Sequence, residues 1–132
     1  MKRLLLLSVF LLSACKPPTP VEQMDSILSW IATAEMAGGA WLRHTTPDTY
    51  TRQTLELSHK TLEQISNDLL AAPLPATDTA ALDSVLTRSR ARIARMSTLI
   101  TARNAPEFSR ELGLLDADQR VVKQFAGGIG SK

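Results

Sequence analysis

Cys15 is the residue with the clearest chemical use in this chain, because its thiol is the only one in 132 residues. A lone cysteine cannot form a disulfide within the chain. It follows a positively charged start, with Lys2 and Arg3, and an apolar run over residues 4–12. A basic segment, a short apolar segment and small residues before a cleavage point are typical of a secretory signal peptide. The run is too short to span a bilayer, which takes about 20 apolar residues.

The residues around Cys15 make this interpretation more specific. Leu12-Ser13-Ala14-Cys15 resembles the lipobox of bacterial lipoproteins, which reads Leu, a small residue, Ala or Gly, then Cys. The resemblance covers residues 1–15. It implies that residues 1–14 are a signal peptide cut between Ala14 and Cys15. It also implies a diacylglycerol on the Cys15 thiol and an N-acyl chain, such as palmitate, on the new amino group. These lipids are covalent modifications, and we expect no cofactor.

Residues 15–20 then form a proline-rich tether. Such a segment is extended, at about 3.1 Å per residue, so it reaches about 15 Å. Two acyl chains hold a protein stably on a membrane. Lys16 follows the cysteine at the position where Asp would be the inner-membrane retention signal in Gram-negative bacteria. The lipoprotein resemblance therefore favours the periplasmic leaflet of the outer membrane.

Glu35 is a second candidate for chemistry, because it falls inside the apolar stripe of the first predicted helix. An unpaired buried carboxylate is costly. We expect a structural ion pair with Arg92 or Arg103, near the edge of the third helix, rather than a catalytic acid.

His59 and Glu63, one turn apart on the second predicted helix, could supply half of a metal site. His44 is the only other histidine, so we expect a solvated or hydrogen-bonded pair and no metal. The chain also lacks a Gly-x-Ser-x-Gly turn, a Walker-type phosphate loop and a CxxCH haem motif. We therefore expect no enzymatic activity.

The stretch Leu115-Asp116-Ala117-Asp118-Gln119 resembles the Leu-Thr-x-x-Gln motif of periplasmic helical chaperones and metal-stress sensors. That resemblance implies a metal- or stress-sensing protein as an alternative function. Physically, Asp116 and Gln119 predict a capping box at a helix start.

Charge argues against a nucleic-acid partner. The chain has 15 basic and 13 acidic side chains, and cleavage would remove Lys2 and Arg3, which leaves the rest neutral. Arg88, Arg92 and Arg95 share a flank of the third helix. We expect them to face complementary acidic side chains, with contact to anionic lipid head groups as the alternative.

The remaining pattern predicts an all-α fold, three to four antiparallel helices in a bundle over residues 21–126, with a flexible tail at 127–132. Helix 1 begins at the Thr19 cap and ends near Arg43 or His44; helix 2 begins at a Thr46 cap and ends before Pro73; helix 3 begins at Thr77 or Asp78. A fourth segment starts at Pro106 and is interrupted near Gly113. The predicted core positions of these four segments, in chain order, are Met24, Leu28, Ile31, Gly38 and Leu42; Thr51, Leu55, Ser58, Leu62, Ile65, Leu69 and Ala72; Leu82, Val85, Leu86, Ser89, Ile93, Met96 and Ile100; and Phe108, Leu112, Leu115, Val122 and Phe125.

Trp30 and Trp41, with Ala34 and Ala37 between them, lie on one side of helix 1 and predict a shallow aromatic groove. We interpret this face as a possible partner-binding site, with a second core contact as the alternative. The whole pattern predicts a lipid-anchored, non-catalytic envelope protein that binds or positions a partner protein. A pilotin-like secretion accessory role is an alternative based on size and class alone.

Overall fold

The computed structural model describes residues 16–75 and 77–130, and these residues form four α-helices without a strand. The helices are α1 (Pro20–Leu42), α2 (Asp48–Ala71), α3 (Thr79–Thr101) and α4 (Ala105–Gly130). Each helix packs mainly against two others, in the cyclic order α1, α2, α3, α4, and short connections make neighbours antiparallel. The predicted all-α bundle is confirmed.

Side-chain caps fix three of the helix starts. At the start of α1, Thr19 precedes Pro20 and its Oγ1 accepts a hydrogen bond from the backbone N–H of Glu22. At the start of α3, Asp78 Oδ1 accepts from the backbone N–H of Ala81. Both caps are as predicted. Asn104 does the same for α4 by accepting from Glu107. Each cap satisfies a backbone donor that has no partner inside its helix.

The cap predicted for α2 is wrong. Thr46 does not cap α2; the cap position is Pro47, which has no side-chain oxygen to offer. The Thr46 hydroxyl instead lies 3.0 Å from the hydroxyl of Thr51.

The core stripe of α3 is confirmed at every position, and that of α2 at every position except Ile65 and Ala72. Ser66 is buried in α2, whereas Ile65 is half-buried and Ala72 is exposed beyond the helix end. The stripe of α1 is rotated relative to the prediction. Its buried residues are Met24, Ile27, Ile31, Ala34, Ala37 and Gly38. Leu28 and Leu42 are only half-buried.

The last helix differs most from its prediction. It runs unbroken through Gly113 and continues over residues 127–130, where the sequence predicted a flexible tail. Asp116 and Gln119 therefore lie in the middle of a helix and form no capping box. Gln119 is buried instead, together with Phe108, Leu115 and Val122. Leu112 and Phe125 are half-buried against the core.

Close packing of α1 against its neighbours depends on Gly38. A Cβ at this position would lie 3.0 Å from Met96 Cε and 3.1 Å from Phe108 Cε1. Such contacts are tighter than ordinary packing, so the glycine lets the Phe108 ring, which is fully buried, approach the α1 backbone.

None of the helices described here is long and apolar enough to cross a membrane. The predicted signal peptide, its cleavage site at Ala14 and the lipidated Cys15 lie outside the described residues.

Candidate functional site

The bundle has two ends. Helix α1 begins at Pro20, five residues after the predicted lipidation site Cys15, so the end of the bundle where α1 begins is called here the anchor end. The opposite end, called here the distal end, holds the connection 43–47 between α1 and α2 and the connection 102–104 between α3 and α4. With 23 residues in α1, the two ends are about 34 Å apart.

Trp41, one of the two predicted binding residues, lies at the distal end and is half-buried. Its ring centroid is 4.6 Å from that of Phe108, with the planes tilted by 52°. Its indole Nε1–H donates to Asp48 Oδ1 over 2.8 Å. Trp41 therefore joins the end of α1 to the start of α2 and to α4, and only part of its ring faces solvent.

Trp30 is also half-buried and packs against the core from the same side of α1. The two alanines expected to form an open floor between the rings are covered: Ala34 is 0% and Ala37 8% exposed. The structure thus gives each tryptophan an exposed edge but no open groove between them. A partner-binding role for Trp30 or Trp41 remains a prediction.

A hollow of about 360 Å³ opens beside the exposed edge of Trp41. This distal hollow is lined by Trp41, His44, Asp48, Arg103 and Ala105. Within the described chain, the side chains of Arg103 and His44 make no hydrogen bond or ion pair. The hollow therefore presents an aromatic edge and two uncommitted nitrogen-bearing side chains, beside a carboxylate that is already hydrogen-bonded.

His44 and Arg103 also share an unusual backbone conformation. Their φ angles are 58° and 53°, and they are the non-glycine residues with positive φ in the described chain. Each follows the end of a helix, and each turn closes with a bond from the next residue: Thr45 N–H to Ala40 O, and Asn104 N–H to Leu99 O. Glycine is the usual residue at this position because other residues are strained there. His44 and Arg103, both at strained backbone positions, therefore line the same hollow.

The arginine flank of α3 faces α4. Arg88 Nε donates to Asp118 Oδ1 over 2.9 Å, and Arg92 Nε donates to Asp118 Oδ2 over 2.7 Å. Arg92 and Arg95 both reach Glu111, at 3.3 and 3.5 Å. The expected complementary packing is confirmed, and its acidic partners lie on α4. Three cations thus stabilise the α3–α4 contact.

Glu35 does not form the predicted ion pair. Arg92 is bound to Asp118 and Glu111, and Arg103 lies at the distal end. The rotation of α1 turns Glu35 toward α4, where its Oε1 is buried without a hydrogen-bond partner. Burial, and secondarily the charge of Asp116, raises the pKa of Glu35; Lys123 and Arg120 oppose this.

The histidines are not gathered into a metal site. His59 lines a shallow hollow between α2 and α3, together with Glu56 and Ser97, whereas His44 is at the distal end. In residues 16–75 and 77–130, no three His, Cys, Asp or Glu side chains are placed to hold one ion.

The fold places this chain in the class of antiparallel four-helix bundles. The chain matches no protein-family model, no curated protein and no solved structure. The sequence pattern indicates Trp41 but not His44 and Arg103 as residues that line this hollow. Their only sequence signal is their place directly after two predicted helix ends.

Proposed function

We propose that this protein is a lipid-anchored helical bundle of the cell envelope that binds a partner protein through its distal end. The observation that carries the binding role is the uncommitted guanidinium of Arg103 beside the exposed edge of Trp41. Arginine and tryptophan are enriched among residues that dominate binding energies. The distal hollow is also the part of the bundle farthest from the tether, where a partner meets no obstruction from the membrane.

Binding fits the distal hollow better than catalysis does. The Trp41 N–H donates to Asp48 Oδ1, so this carboxylate helps to hold the aromatic ring in place beside the hollow. His44 and Arg103 are held by the helix-ending turns, which suits the positioning of a ligand group. An acidic or carbonyl-rich segment of a partner would meet the guanidinium directly.

The anchor rests on the lipobox resemblance and on the position of Pro20. The first helix begins five residues after Cys15, so lipidation at Cys15 would hold the bundle close to the membrane surface. A Cys15→Ser precursor should incorporate no labelled fatty acid and remain uncut. Normal labelling of this variant would refute the lipoprotein proposal.

Photo-cross-linking tests the binding role. Thr45, which is exposed beside the hollow, is replaced by a photo-reactive amino acid, and the cross-link is formed in membranes of the cells that produce the protein. We expect one dominant cross-linked product. The product should disappear in Arg103→Glu and persist in Arg110→Glu, a matched charge reversal at an exposed position of α4. If Arg103→Glu retains the product, or both variants lose it, the distal hollow is not the binding site.

A further inference from the structure

Apolar side chains line two neighbouring hollows at the anchor end of the bundle. One hollow of about 160 Å³ is lined by Pro20, Pro73, Leu74, Pro75, Thr77 and Ile129. A neighbouring hollow of about 230 Å³ is lined by Thr77, Asp78, Gln124, Phe125 and Gly128. The two hollows share Thr77 and together form the anchor-end surface.

Large apolar side chains of this surface remain partly open to solvent. Pro73 and Pro75 are exposed, and Leu74 and Ile129 are half-buried. Val21, which follows Pro20 in the chain and lies beside this surface, is 44% exposed. No described segment of the chain covers them. Contiguous exposed apolar surface marks a place where a protein contacts another apolar body.

The position of the tether indicates that this apolar body is the lipid bilayer. Pro20 lines the first hollow and lies five residues after Cys15, a distance of about 15 Å in extended chain. An acyl-bearing Cys15 would hold this end of the bundle within that distance of the bilayer. The side of the bundle is less suited to a lipid surface, because Arg88, Arg92 and Arg95 are engaged by acidic residues of α4.

Charge indicates which component of the membrane is contacted. Glu22, Asp25 and Asp78 are exposed around the anchor end and outnumber the exposed Lys16 at the start of the described chain. Acidic side chains are repelled by anionic head groups. Contact must therefore come from apolar side chains reaching the level of the glycerol and upper acyl chains.

We propose that the anchor-end surface rests on the bilayer and takes up lipid in its two hollows, so that the bundle stands end-on. This inference rests on the proposed lipid anchor and adds an orientation to it. The distal hollow then lies about 34 Å above the membrane, at the far end of α1.

Site-specific fluorescence on the full lipidated protein tests the orientation. The lipid occupies the thiol of Cys15, so a cysteine introduced elsewhere is the only one that a thiol-reactive nitrobenzoxadiazole dye can label. Val21→Cys and Pro73→Cys report on the anchor end. Met36→Cys, 74% exposed on the same helix as Val21, and Ala91→Cys, exposed between Arg88 and Arg95, report on the sides. The proteins are reconstituted into phosphatidylcholine vesicles with and without nitroxide-labelled lipid.

We expect the nitroxide lipid to remove most of the emission from positions 21 and 73, and little from positions 36 and 91. Adding anionic lipid should not increase the quenching at position 21. Equal quenching at positions 36 or 91, or none at positions 21 and 73, overturns the end-on arrangement. Flotation of the vesicles separates this failure from that of the anchor: protein that does not float with the vesicles refutes both proposals.

A charge placed in the hollow gives a second test on the same labelled protein. Leu74→Glu should abolish the quenching of a dye at position 21, because burying a carboxylate in lipid is costly. Leu57→Glu, at a position 53% exposed in the middle of α2, is the matched control and should leave the quenching unchanged. Circular dichroism confirms that both variants are folded. Unchanged quenching in folded Leu74→Glu protein overturns the proposal.

Discussion

Arg92 and Asp118 form the central contact between α3 and α4, with Arg92 Nε 2.7 Å from Asp118 Oδ2. The Asp118 side chain is 5% exposed, and its second oxygen accepts from Arg88. One buried carboxylate thus serves two guanidinium groups, and neighbouring Glu111 gives Arg92 a second acceptor. Because buried charges are tolerated only when they are paired, this cluster fixes how α4 sits against α3.

Asp118→Ala should be strongly destabilising. It leaves Arg92, whose side chain is 19% exposed, with only one acidic partner in a largely buried setting. We expect the free energy of unfolding to fall by about 3 kcal/mol. Asp116→Ala, two residues away, removes an exposed pair with Arg120 and should cost less than about 1 kcal/mol. Urea unfolding of residues 16–132 measures both; equal effects would contradict the structural role of Asp118.

Gly38→Ala should destabilise the bundle although alanine is the better helix former. The new Cβ would press on Met96 and on the buried ring of Phe108, and such overpacking costs about 1–3 kcal/mol. Gly113→Ala is the control, because nothing lies within 4 Å of its added Cβ, and it should stabilise the protein by up to about 1 kcal/mol. Thermal unfolding compares the two; a stabilising Gly38→Ala would show that the α1–α4 contact is loose.

Glu35 should make the protein less stable as the pH rises. Its folded-state pKa is raised above the ordinary 4.5, so the folded chain holds this proton to higher pH than the unfolded chain does. The contribution of Glu35 to stability is thus full below pH 4.5 and lost as the pH rises through its folded-state pKa. Glu35→Gln should remove this part of the pH dependence, and Asp116→Asn should reduce it. Unfolding free energies from pH 4 to 8 test this; an unchanged slope in Glu35→Gln would contradict it.

The sequence predicted α3 better than α1, for a physical reason. The buried stripe of α3 from Leu82 to Ile100 alternates with polar residues, so only one face can be buried. In α1, Ile27 and Leu28 are adjacent and apolar, as are Trp30 and Ile31, so several phases bury similar area. Met24, Ile31 and Gly38 are buried in either phase, and the structure adopts the phase that also buries Ile27 and Ala34 and leaves Leu28 half-buried.

Site residues that the sequence does not reveal have three separate physical causes, and the rotation of α1 is the first. Placing Glu35 in the stripe led to the wrong partners, since its neighbours depend on the phase of α1. Glu111 and Asp118 have the spacing of core positions but the chemistry of surface residues, so only their contacts with the arginines reveal their burial. His44 and Arg103 were missed because a positive φ leaves no trace in residue type unless the residue is glycine or asparagine.

Substitutions at the strained turns of the distal end can separate an effect on folding stability from an effect on partner binding. Arg103→Gly relieves the positive φ at that position, where glycine is unstrained. We expect unfolding free energy to rise by up to about 1 kcal/mol, since the strain exceeds the extra backbone entropy of glycine. His44→Gly should behave in the same way. Urea unfolding measures the change.

The matched control for this substitution is one residue earlier. Ala102 has a helical φ of −75°, so Ala102→Gly should lower stability by about 0.5–1 kcal/mol. If Arg103→Gly stabilises the bundle but loses the product cross-linked through position 45, the strained residue is retained for binding at the expense of stability. A stabilised variant that keeps the product would instead show that the Arg103 side chain takes no part in recognition.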